Sequence, residues 1–125
     1  MRKILSTVSV LVITMLIMAA CVGDSEYHKI TASEAKQMMA DTVTILDVRT
    51  ESEFDQGHIS GAILIPDYDI LEKAESKLTD KNATILVYCR SGNRSETASK
   101  NLIKLGYTNV YDFGGIIDWE YGLVT

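Results

Sequence analysis

From Ile30 onward, runs of consecutive apolar residues take turns with stretches in which apolar residues recur every three or four positions. Thr31-Ala32-Ser33-Glu34 has the capping-box form of a helix start, and Ala32, Ala35, Met38 and Met39 then share one helical face. Residues 43–48 read as a strand that is apolar on both faces in its middle. Residues 49–56 are polar and hold one short helical turn, and Gly57-His58-Ile59-Ser60-Gly61 is turn chemistry. Residues 62–65 give a second strand, stopped by Pro66. Leu71, Ala74 and Leu78 fall at helical spacing and are expected inward. Residues 84–88 are a third strand, and 95–105 a helix with Ala98, Leu102 and Leu105 inward and Gly106 placed to end it. Val110-Tyr111 is a short last strand, Phe113-Gly114-Gly115 a turn, and residues 116–119 begin a final helical turn. Strands that are nearly all apolar, separated by helices, predict an α/β domain with a small parallel sheet and helices on both faces.

Residues 1–20 stand apart from this alternation. Arg2 and Lys3 form a basic head, residues 4–18 are apolar except for Ser6, Thr7, Ser9 and Thr14, and Ala19-Ala20 precede Cys21. That is the pattern of a secretory signal peptide. Its ending resembles the lipobox of bacterial lipoproteins, with Met18 where leucine is usual, and this implies that Cys21 is lipidated and becomes the new N-terminus. The alternative is an uncleaved anchor, since residues 4–22 are just long enough to span a bilayer. Either one holds the domain outside the cytoplasm at a membrane, leaving Arg2 and Lys3 on the cytoplasmic side. Cys21→Ser separates them: it releases a lipoprotein and leaves a spanning anchor in place. Residues 21–29 then read as a tether, and 30–125 as the domain.

The chain has 125 residues, enough for one small domain, and a net charge of −5. Cleavage before Cys21 would remove Arg2 and Lys3, leaving 10 basic against 17 acidic residues, or −7. Such acidity argues against nucleic acid as a partner. The domain is expected to act as a monomer.

Candidate chemistry collects in Cys89-Arg90-Ser91-Gly92-Asn93-Arg94-Ser95. In an open α/β sheet, sites form where strands end and helices begin, and this segment joins the third strand to the helix after it. Gly92 permits a tight curl, and Asn93 tolerates left-handed backbone. Such a curl turns successive N–H groups inward as an anion-binding nest, to which the helix dipole adds. With Arg90 and Arg94 beside it, the Cys89 thiol is expected to ionise readily. The plainer reading, a small residue buried at a strand end, does not account for the arginines or the glycine turn. Zinc binding fails on ligand count, because two cysteines and two histidines stand far apart without paired spacing. No metal and no cofactor is therefore expected. His58 sits in a glycine-bounded turn and is expected to bond the backbone rather than act as a base.

The series Leu46-Asp47-Val48-Arg49, Glu53-Phe54, Gly57 to Ala62, Ile65-Pro66, the Cys89 loop, and Gly114-Gly115 with Trp119 resembles a rhodanese domain in order and spacing, over about residues 30–121. The resemblance implies a sulfurtransferase. Cys89 would take sulfane sulfur from a donor such as thiosulfate, hold it as a persulfide, and pass it to cyanide or a thiol. The N–H groups of Arg90, Ser91, Gly92, Asn93, Arg94 and Ser95 would cradle the anionic outer sulfur, and Arg90 and Arg94 would hold sulfonate oxygens. Two other readings stand beside it. One is a rhodanese-like module that binds a partner without chemistry. The other is a cysteine phosphatase, although four residues between Cys89 and Arg94 make a narrow ring for a phosphoryl group.

Several side chains carry weaker expectations. Asp47 either reaches the loop to orient Arg94 or caps the turn that follows it. Arg49 is expected to pair with Glu51 or Glu53, and Ser95 to cap the loop-to-helix junction. Phe113, Trp119 and the Ala35, Met38 and Met39 stripe are expected in the core.

Overall fold

The computed structural model describes residues 27–125. The expected signal peptide, the expected lipidation site Cys21 and most of the expected tether lie outside the described residues. Among the described residues, no helix is long and apolar enough to cross a membrane.

Five parallel strands form one sheet: β1 (His28–Lys29), β2 (Thr44–Asp47), β3 (Ile63–Leu64), β4 (Thr84–Cys89) and β5 (Asn109–Gly115), in the order β1-β5-β4-β2-β3. The helices are α1 (Ala32–Met38), α2 (Glu51–Gln56), α3 (Ile70–Lys77) and α4 (Asn93–Lys104). The expected α/β class holds. The central strand shows why its run is uninterrupted. Ile85, Val87 and Cys89 of β4 face a core that includes Ala74 of α3 and Ala98 and Leu102 of α4. Leu86 and Tyr88 face the opposite core, with Ala35, Ile59 and Phe113. A strand covered on both sides needs apolar residues at odd and even positions alike.

Capping boxes open α1 and α2, with the Thr31 and Thr50 hydroxyls accepting from Glu34 N and Glu53 N. Ala35 is buried, and Met38, Met39 and Trp119 pack around the second core, as expected.

Three details differ from the expectation. His28 and Lys29, read as tether, form the edge strand beside β5, so the domain begins earlier than residue 30. Leu71 is 59% exposed, while Ile70 points into the core. A 3-10 turn at Asp67–Asp69 feeds α3, so that Ile70, four residues before Ala74, takes the inward position, while Ala74 and Leu78 are buried as expected. The last strand is also far longer than Val110-Tyr111, running through the glycines read as a turn.

Candidate active site

Cys89 is the last residue of β4 and is almost fully buried, with its sulfur at the junction to α4. The chain turns back on it at once. Gly92 takes φ +112°, a left-handed conformation that a side chain would strain, and its N–H donates to Cys89 Sγ at 3.0 Å. Asn93, Arg94 and Ser95 are the first three residues of α4, whose N–H groups have no carbonyl one turn below them. They therefore leave the positive end of a twelve-residue helix at the sulfur.

Two loop expectations are corrected here. Asn93 is already helical, so Gly92 alone takes the left-handed backbone. Ser95 is not the cap but lies inside the first turn, fully buried. Its hydroxyl donates to Gly92 O at 3.0 Å and lies 3.4 Å from Gly114 O, while the Cys89 thiol donates to Ser95 Oγ at 3.4 Å. Ser95 thus ties the sulfur, the turn and β5 together.

β5 forms the floor of the loop. Cys89 pairs in register with Gly115, past an irregularity after Val87. A side-chain carbon on Gly115 would overlap the Arg90 carbonyl oxygen and lie 2.7 Å from Ser91 Cα. Only glycine lets the loop start settle there, and Ile117 N then donates to Arg90 O at 3.3 Å. Gly114 N donates to buried Asp112 Oδ1 at 2.8 Å, and Tyr27 donates to the other Asp112 oxygen at 2.5 Å. Burial, then the bond to Asp112, pushes the Tyr27 hydroxyl well above its ordinary range. Asp112 and Gly115 are site-shaping residues that the sequence reading missed. The available signal was an Asp two residues before Gly114 on an apolar strand.

The charges pair differently from expectation. Arg94 is held by Glu53, not Asp47, through two bonds of 2.7 and 2.9 Å. Those bonds pull the Glu53 carboxyl down to about 2, and they raise Arg94 further. Asp47 neither reaches Arg94 nor merely caps a turn. It accepts from Arg49 N and from the Arg49 guanidinium, at 2.6 Å from Nη2, and from Tyr88 OH at 2.6 Å. Arg49, expected on Glu51 or Glu53, is therefore Asp47's partner, and its Nη2 also donates to Gly57 O at 2.7 Å. The Tyr88 hydroxyl accepts from Ile59 N at 3.1 Å, and burial and Asp47 push its ionisation upward. This network is buried scaffold next to the site. Arg90 is exposed and makes no ion pair among the described residues, so it carries the uncompensated positive charge at the loop. His58 does as expected: Nδ1 lies 2.9 Å from Phe54 O, and its ring stacks on Phe54.

A family model for the rhodanese-like domain matches residues 31–121. The chain belongs to the rhodanese-like family. It is 40% identical over 73 residues to the thiosulfate sulfurtransferase PspE of Escherichia coli strain K12, covering 58% of this chain and 70% of that one. It is 30% identical over 91 residues to the thiosulfate sulfurtransferase GlpE of Pseudomonas entomophila, covering 73% and 82%. The family also holds other roles. A tRNA uridine(34) hydroxylase of Yersinia pestis is 34% identical over 98 residues, but the match spans only 28% of that protein. Among solved structures, an E. coli rhodanese with anions superposes with a TM-score of 0.63 at 36% identity, covering 67% of this chain and 99% of the other. A rhodanese-like domain protein from Staphylococcus aureus gives 0.66 at 32% identity, covering 78% and 96%. Within a rhodanese-like domain, the loop from Cys89 to Ser95 is the segment where one buried sulfur meets a main-chain N–H, a helix start and an unpaired guanidinium.

Proposed function

We propose that this rhodanese-like protein is a sulfurtransferase that moves sulfane sulfur from a small anionic donor such as thiosulfate to cyanide or a thiol, through a persulfide on Cys89. The observation that carries the reading is the bond from Gly92 N–H to Cys89 Sγ at the start of α4. A sulfur in that position gains from fixed dipoles whenever it bears negative charge, as thiolate or as persulfide. The donor's outer sulfur bonds to Sγ as its bond to the sulfonate sulfur breaks, and sulfite leaves with that electron pair. The acceptor then attacks the outer sulfur, and Cys89 departs as thiolate. Two half-reactions sharing one covalent intermediate give ping-pong kinetics. Arg90 is the group available to meet the sulfonate, because both terminal nitrogens of Arg94 are engaged by Glu53. That engagement also disfavours a phosphatase, which would need the arginine for its phosphoryl oxygens.

The test is intact mass after incubation with thiosulfate. One sulfur atom is gained, cyanide removes it, and Cys89→Ser gains nothing. No gain in the wild type, or a gain that survives Cys89→Ser, would overturn the reading.

A further inference from the structure

Asp112 is a carboxylate where the sheet offers it almost no water. It is 1% exposed and lies on β5 between Val110 and Phe113, which belong to the two cores. Burying a charge is costly unless donors meet it. Among the described residues two side-chain bonds do so: Gly114 N donates to Oδ1 at 2.8 Å, and the Tyr27 hydroxyl donates to Oδ2 at 2.5 Å. The first bond holds Gly114, whose carbonyl oxygen lies 3.4 Å from Ser95 Oγ. Ser95 Oγ in turn accepts from the Cys89 thiol at 3.4 Å. A continuous run of contacts therefore joins the Tyr27 hydroxyl to the sulfur.

Tyr27 reaches this run from the N-terminal side of the domain. It stands just before β1, and the segment it opens grips Asp112 twice, because Ile30 N also donates to Asp112 O at 2.8 Å. The Lys100 ammonium lies 5.5 Å from the centre of the Tyr27 ring and bonds Glu96 at 3.0 Å. The ring is thus seated against the same helix, α4, that begins at the sulfur. Fastening an edge strand needs only a neutral acceptor, with less desolvation. A carboxylate adds a second acceptor oxygen, which lets one side chain hold Tyr27 and Gly114 together.

We infer that Tyr27 is a positioning residue for sulfur transfer, holding the Cys89 loop in its loading geometry through Asp112, Gly114 and Ser95. This rests on the sulfurtransferase reading above. Tyr27 does not meet the reacting atoms. Without its hydroxyl, Asp112 Oδ2 is left charged and without a donor in a dry site, so the carboxylate turns toward another partner. Gly114 N is then released, and the Gly114 carbonyl no longer steadies Ser95 beside the sulfur. Arg90, which meets the donor's sulfonate, is untouched. The chemical step slows while donor binding stays as it was.

The test follows single-turnover loading of the full-length protein by intact mass over a range of thiosulfate concentrations. Misplacing a reacting group by a small distance costs up to about 100-fold, and for one remote bond Tyr27→Phe is expected to lower the maximal loading rate roughly five- to tenfold. The half-saturating thiosulfate concentration should stay within about twofold of wild type. Tyr107→Phe is the control. Its hydroxyl also makes a buried bond, to Leu78 O at 2.6 Å, but at the other end of β5, so its loss should weaken the fold without moving the maximal rate. Asp112→Ala should slow loading at least as much as Tyr27→Phe, and combining the two should cost nothing further, because they act in series. Asp112→Asn supplies the same cycle if the alanine variant does not fold: the amide carries no charge, so removing the tyrosine hydroxyl there should cost less than about twofold. Wild-type loading in Tyr27→Phe, equal slowing in Tyr107→Phe, or losses that multiply in full across the cycle would each overturn the inference. A wild type that never loads would remove the sulfurtransferase reading itself and this inference with it.

Discussion

Asp47→Asn tests whether Asp47 is scaffold or machinery. The substitution keeps shape and removes charge at a side chain with no solvent exposure. The Arg49 guanidinium, on a residue 5% exposed, then loses its counter-charge and keeps one amide oxygen at position 47, Gly57 O and the face of Tyr88 as partners. Breaking a buried ion pair from one side costs about 3–5 kcal/mol, because the remaining charge stays desolvated. An amide group in place of one carboxylate oxygen also opposes donors with donors at Arg49 or Tyr88. A loss of about 3–4 kcal/mol is expected, which is a large share of the 5–15 kcal/mol typical of a domain. In a domain of about a hundred residues it lowers Tm by roughly 12–30 °C. Tyr88→Phe should cost less, about 1–2 kcal/mol, mainly by leaving Ile59 N–H without its acceptor. Urea unfolding followed by the fluorescence of Trp119, the chain's one tryptophan, measures both. The rate of persulfide formation in the folded fraction should change by less than threefold. A stability loss below about 1 kcal/mol would refute the energetic argument. Intact stability with a tenfold slower Cys89 would show that Asp47 acts on the loop after all.

Gly115→Ala places a carbon against the Arg90 carbonyl and Ser91 Cα, both backbone, so the loop start must move. We expect a loss of at least about 1–3 kcal/mol, with persulfide formation slowed more than in Asp47→Asn; an active, equally stable variant would show that the loop does not rest on β5. Glu53 supplies the pH dependence. Its carboxyl is held at about 2 in the folded protein against an ordinary value of 4.5, so the stabilisation is complete above pH 4.5 and is lost as pH falls toward 2. A shift of that size corresponds to ~3 kcal/mol, which the pair's partial exposure reduces to about 1–2 kcal/mol. Urea midpoints at pH 7 and pH 3 should converge between wild type and Glu53→Gln; parallel lines at both pH values would exclude the pair as a source of stability.

The legible parts of this fold are those where one local rule decides. Thr84–Cys89 reads as a buried strand because both faces need apolar side chains, and the loop after it reads as a site because a strand end meets a helix start. His58 was legible for the same reason, since a glycine-bounded turn leaves its ring a carbonyl four residues back. What escaped depends on distant register or on small local phase. The edge strand at His28–Lys29 has two residues and no period to detect, and it forms because β5 offers an unpaired edge. At the start of α3 only Leu71 departs from its expected place: Ile70, four residues before Ala74, takes the inward position, while Ala74 and Leu78 are buried as expected. Arg49 was assigned to neighbours in the following turn, although strand alternation puts residues 47 and 49 on the same side. Arg94 and Glu53 are 41 residues apart, and only the packed sheet brings them together.

The glycine pair shows how the two kinds of information meet at the site. Read locally, Gly114-Gly115 is a turn, because two glycines in succession weaken any strand. In the folded sheet the same weakness is what the neighbouring chain requires. β4 must stop at Cys89 and curl inside a few ångströms, and a curling backbone beside an extended one leaves no room for a side chain between them. Asp112 restores the order that the glycines give up by holding Gly114 N, and Gly114 O in turn lies against Ser95. The sulfur is thereby fixed by groups from three segments, none of which touches it through a charged side chain: Gly92 from the loop, Ser95 from α4, and β5 beneath. Under the proposed sulfur transfer, such an arrangement would stabilise a charge along the short path from thiolate to persulfide, because main-chain dipoles stay put when the charge moves outward by one atom. A salt-bridged nucleophile would instead lose its partner at that step. Arg94, whose two terminal nitrogens both bond Glu53, lies near enough to Cys89 to act on it through charge without bonding the sulfur.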